Sequence, residues 1–104
     1  MPNQITSIQY VEIAKDRLNV TFGHKDSDIE RMIIESMASI RKWVGPVVFN
    51  PDPEPEDYIA ILVNDLLLNL VRYKWNGSGQ YFMEEYRPDI LSLQIEVAKN
   101  AYQK

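Results

Sequence analysis

The sequence predicts an all-α protein: a small bundle of about four helices formed by a single domain over residues 1–104. Three observations carry this. Apolar residues recur at steps of three and four in three separate segments. Two of those segments open on capping-box patterns. Gly and Pro cluster between the segments and not inside them. At 45% hydrophobic residues the chain can bury a core.

Thr6-Ser-Ile-Gln9 reads as the first capping box, with Thr6 as N-cap and Gln9 reaching back. Ile5 and Tyr10 stand where a hydrophobic staple forms. Ile8, Val11, Ala14 or Lys15, and Leu18 then give a helix over residues 7–18, followed by a loop over 19–25. Ser27-Asp-Ile-Glu30 is the second box. Ile29, Ile33, Met37, Ile40 and Val44 form one stripe, so the second helix is predicted over 28–44. Arg41 and Lys42 suit its last turn, and Gly45-Pro46 stops it.

Residues 45–57 form a stiff acidic loop, because Pro51, Pro53 and Pro55 alternate with Asp52, Glu54 and Glu56. Val47-Val48-Phe49 reads as an extended or edge-pairing segment within it. The loop is expected to project, with Val48, Phe49, Asp52 and Glu54 as its contact residues. Pro55 is placed at the first position of the next helix.

That helix, Tyr58 to Trp75, is the element around which the rest is arranged. Thirteen of its eighteen residues are apolar or aromatic. It would be roughly 27 Å long, but Asp65, Arg72 and Lys74 argue against a membrane span, since each charge near a bilayer centre costs about 2.5–3.5 kcal/mol. Asp65, Asn69 and Arg72 line up as one polar stripe. A helix apolar almost all round must be covered by other protein. The expectation is a neighbouring subunit, with Asp65, Asn69 and Arg72 at its boundary.

Asn76-Gly-Ser-Gly79 ends the helix. Residues 76–87 form a hinge and an aromatic segment, of which 80–86 read either as a helical turn or as an ordered loop packed by aromatics. Trp75, Tyr81, Phe82 and Tyr86, beside Arg72, Lys74 and Arg87, are expected to dock a partner, since Trp, Tyr and Arg are enriched in interface hot spots. A C-terminal helix over 88–104 opens on Pro88, with Ile90, Leu93, Val97 and Ala101 as its stripe and Leu91, Ile95 and Ala98 widening it.

Chemistry-bearing patterns are sparse. The chain has no cysteine, so it offers neither disulfide nor thiolate site, and His24 is its one histidine. Asp26, Asp28 and Glu30 alternate like the start of a calcium loop, but the sixth position is Arg31 and no Glu stands at the twelfth. Gly77-Ser-Gly79 is too short to cradle a phosphate. No nucleophile, base and orienting group fall together, so no catalysis, cofactor or metal is expected. The N-terminus lacks a secretory pattern. The net charge of −4 disfavours tight binding to nucleic acid.

Leu18-Asn-Val20, Asp28-Ile-Glu-Arg-Met-Ile-Ile34, Ala38-Ser-Ile40 and Trp43-Val-Gly45 resemble the first half of the phage head–tail connector family, the head-completion or adaptor proteins of long-tailed phages. The likeness continues through a proline-containing loop into an apolar helix, here Pro55 to Arg72, and covers residues 7–75. The resemblance implies a virion protein at the head–tail interface, present in the host cytoplasm during assembly. Its copies, about a dozen, would form a homo-oligomeric ring on the portal protein. The ring would extend the DNA channel and dock a downstream connector or tail component, with no catalytic role and no membrane. An acidic balance suits a conduit through which DNA passes without specific binding. Two other classes fit the residues: a generic helical protein-interaction module, and a small helix-turn-helix regulator.

Overall fold

The computed structural model describes residues 2–102, with side chains from Ser7 to Asn100. The protein is all-helical, with no strand among the described residues. Its helices are α1 (Pro2–Leu18), α2 (Asp26–Val44), α3 (Tyr58–Trp75), the four-residue α4 (Phe82–Glu85) and α5 (Arg87–Tyr102), with a 3-10 turn at Gly79–Tyr81. α2 and α3 pack against each other, and both also touch α1 and α5. The pair therefore forms the middle of the bundle, flanked by α1 and α5.

The helix starts depart from the capping boxes. α1 begins at Pro2, so Thr6 is inside the helix and is not its N-cap. Pro2 suits a first helical position, where its missing N–H is not needed, and nothing in residues 3–6 breaks the run. The staple partner Ile5 lies outside the described side chains; Tyr10 is fully buried in the core. Similarly, α2 begins at Asp26, and Ser27 is not its cap. The Asp26 carboxylate meets Lys15 Nζ of α1 at 2.9 Å. Asp26, and Asp28 two residues on, put negative charge in the first turn, at the positive helix end. Tertiary contact thus adds residues to α2 that a local reading left out.

The stops agree with the sequence. Asn19 takes a positive φ of 57° at the end of α1, and the Val20 N–H reaches back to the Lys15 carbonyl at 2.9 Å. Gly77 (φ 75°) ends α3 in the same way, with the Ser78 N–H on the Tyr73 carbonyl at 2.8 Å. Both are Schellman closures, in which a left-handed residue satisfies the last carbonyls.

Residues 45–57 contain no helix. Pro55 is not the first residue of α3. It sits in a turn closed by the Asp57 N–H on the Glu54 carbonyl at 3.0 Å, a position its fixed φ favours. Asp57 is the N-cap, accepting from the Ala60 N–H at 3.3 Å.

The five residues of the α2 stripe are all buried. α3 buries Ala60, Val63, Leu66, Leu67, Leu68, Leu70 and Val71, so the chain itself covers most of its central helix. α5 turns Ile90 and Leu93 inward with Val97 partly covered. Its predicted extra width is on the outside: Leu91, Ile95 and Ala98 are exposed. These six apolar residues cannot all point at neighbours that lie on one side of the helix.

Candidate functional site

α3 and α5 run antiparallel. Tyr58, at the start of α3, donates its hydroxyl to Glu96 on the second half of α5 at 2.7 Å. A shallow groove on the same seam is lined by Leu62, Leu66 and Asp89. A larger groove, of about 920 Å³, opens between residues 46–48, the start of α3 and the end of α5. Val47, Val48, Tyr58 and Val97 line it, with Glu56 and Asp57 on its wall.

The outward face of α3 has two halves. Asp65 and Arg72 are exposed and Asn69 is half-buried. Asp65 lies 3.9 Å from Arg17 of α1, and Arg72 donates to Asn69 Oδ1 at 3.1 Å. These are surface contacts, worth about 0–1 kcal/mol for the ion pair. Stepping back toward the helix start, the same face carries Leu62 and Tyr58, with Ile61 beside them. Leu62 keeps 45% and Tyr58 54% of its surface in solvent. The sequence reading picked out the polar half and missed this apolar half. Spacing could have found it, since 58, 62, 65, 69 and 72 continue one face at steps of four and three.

The aromatic segment is placed differently from expectation. Phe82 is only 1% exposed. Its ring stacks on Tyr86 at 4.3 Å and on Trp43 at 6.1 Å, and meets Tyr73 edge-on at 5.3 Å. Phe82 is therefore not a docking residue, and Trp75 and Tyr86 are partly covered against the same core. The reason is geometric: the Schellman turn at Gly77 and the 3-10 turn fold the segment back against α3 and α5, from where the Phe82 ring reaches Trp43 of α2. Tyr81 alone of the four is exposed. Tyr73 donates to Glu85, and this bond pushes its hydroxyl pKa up to about 12.

The 45–57 segment is also part anchor, part surface. Phe49 is 7% exposed and sits in the core under the Arg41 guanidinium, 4.8 Å from its ring centre. It is not a contact residue of a projecting tip. Val48 is 80% exposed, and Asp52 and Glu54 are exposed. Asn64 of α3 fixes the segment by donating to the Asn50 carbonyl at 2.7 Å while accepting from the Tyr10 hydroxyl. Burial pushes the Tyr10 hydroxyl pKa up, so it remains a donor. One amide thus ties α1, α3 and the loop together. Asn64→Ala should cost about 1–3 kcal/mol, because it leaves two covered polar groups without partners. Denaturant unfolding of Asn64→Ala against Asp52→Ala, an exposed control, measures it.

His24 lies exposed in its loop, stacked on Phe22 at 4.5 Å. Asp26 and Asp28 are taken up in ion pairs with Lys15, Arg31 and Lys25. Among the described residues no group of three His, Asp or Glu could hold a metal ion, and no helix is long and apolar enough to cross a membrane. No family model, curated protein or solved structure matches the chain.

Proposed function

We propose that this chain is a structural assembly protein, a head–tail connector of a long-tailed phage. Its copies pack side by side on the portal, lengthen the DNA channel and offer a docking surface to the next connector or tail component. It acts at the head–tail interface of the virion after assembling in the host cytoplasm, and it does so without catalysis. The observation that carries the assembly role is the outward face of α3. Tyr58, Ile61 and Leu62 remain exposed on a helix whose other faces are filled by its own chain. An apolar helical strip continued by Asp65, Asn69 and Arg72 suits a contact with an apolar centre and a polar rim. The likeness of residues 7–75 to connector proteins supplies the phage setting.

The alternative is a helical module that binds some other protein. Electron microscopy of the chain mixed with the portal of its phage separates the two. Rings seated on the portal are the expected result; a chain that never binds the portal overturns the connector reading. Asp65→Ala and Arg72→Ala should leave the melting temperature within about 2 °C, as exposed substitutions do. Both should weaken ring formation, as counted by the same microscopy.

A further inference from the structure

The larger groove is bordered on one side by chain that is neither helix nor turn. Residues 47–50 run from Pro46 to Pro51 without regular structure. Their side chains alternate: Val47 is partly buried, Val48 is 80% exposed and Phe49 is in the core. A strand alternates in the same way. The peptide groups of Val47 and Val48, however, hydrogen-bond to nothing else among the described residues. Val48, Ile59, Val97 and Ala98 give the groove an apolar lining. Its charged lining is Glu56 and Asp57, with no Lys or Arg among the described residues. Asp52 and Glu54 continue the acidic run along the loop, and none of these four carboxylates has an ion-pair partner among the described residues. The cations of the adjoining helix ends lie elsewhere. Arg41 stands over the Phe49 ring, Lys99 is 3.9 Å from Glu96, and Lys42 is exposed on the last turn of α2, outside the groove.

From these groups we infer that the groove takes an extended segment of a different protein, apolar at alternate residues and carrying Lys or Arg between them. Strand addition fits what the chain leaves open, since main-chain N–H and C=O groups give the pairing and side-chain pockets give the selectivity. A docked helix would bring a backbone already paired within itself and leave the groups at Val47 and Val48 as they are. Residues 47–50 offer about 13 Å of edge at the usual strand rise, so the paired stretch is short. Successive side chains of an added strand fall on opposite faces. Alternate apolar residues therefore enter the groove, and the cations between them meet carboxylates that the chain itself leaves unpaired. The same loop of a second copy is not the occupant, because it would bring the acids of both copies together. The inference rests on the assembly role proposed above and deepens it: the α3 strip meets copies of the chain, and the groove holds a neighbour of another kind.

Short random peptides displayed on yeast are selected against the whole chain, and the most enriched one is synthesised. Sequences that alternate apolar residues with Lys or Arg are the expected product. When bound, the synthetic peptide should slow amide hydrogen exchange at Val47 or Val48 by at least about tenfold, because a paired N–H exchanges only when the pairing opens. Glu54→Lys combined with Glu56→Lys, both at exposed sites, should keep the circular dichroism spectrum of the parent. The same pair should weaken peptide binding by at least about tenfold in fluorescence anisotropy. Four results overturn the inference: enrichment of acidic or amphipathic helical sequences, enrichment of none, unchanged exchange at both valines, or binding untouched by the double substitution. Leu62→Asp, on the α3 strip, should bind the peptide as the parent does. Portal binding read by microscopy and self-association read by sedimentation do not depend on the peptide, so failure of the groove and failure of the assembly reading are told apart.

Discussion

Phe82→Ala is expected to lower the stability of the protein by about 3–5 kcal/mol, the range for removing a buried aromatic ring. The side chain is 1% exposed and touches three other rings, Trp43, Tyr73 and Tyr86. Each well-placed aromatic pair adds about 0.5–1.5 kcal/mol beyond the area it buries, so the upper half of the range is the better expectation. A domain of this size has about 5–15 kcal/mol in total. The melting temperature should fall by at least about 10 °C. Tyr81→Ala, one residue earlier and exposed, should change stability by no more than about 0.5 kcal/mol. Thermal unfolding followed by circular dichroism checks the pair. Equal, small effects from both would place Phe82 on the surface.

A single turn of α3 gives the second large effect. Leu66→Asp would place a carboxylate at a site 3% exposed, where removing an ion from water costs several kcal/mol. Unfolding at ordinary temperature, or a carboxylic acid forced to stay protonated, is the expected result. Leu62→Asp, four residues earlier and nearly half exposed, meets water instead. It should keep the fold and its melting temperature while removing self-association, measured by sedimentation velocity. If Leu62→Asp melts the protein as Leu66→Asp does, the apolar half of the α3 face belongs to the core. If it associates normally, that face is plain surface.

Sequence by itself determined where helices are and where they stop. The stripe from Ile29 to Val44 is buried at every position, and α3 stops at Trp75 as read, though it starts at Tyr58 and not at Pro55. The closing turns fall at Asn19, Gly45 and Gly77. These features are local: periodicity acts over one or two turns, and a left-handed residue ends a helix whatever lies around it. Helix starts were less legible. The boxes at Thr6 and Ser27 have the right letters, but Pro2 and the Lys15–Asp26 ion pair extend each helix past them.

Only tertiary structure decided which side of an over-apolar helix is covered. α3 carries leucines and isoleucines nearly all round. Leu66 and Leu68 are buried while Ile61 and Leu62 are not, because α1, α2 and α5 arrive on one side. For the same reason Leu91 and Ile95 are outside on α5. Phe82 and Phe49 look like surface anchors in a turn and a loop, but both are core residues, since the backbone turns both rings toward side chains of α2. Asn64 joins three elements through one amide, and none of its partners is near it in sequence. Residue type limits what a side chain can do in water or out of it; the directions from which neighbouring helices approach decide which of the two it meets.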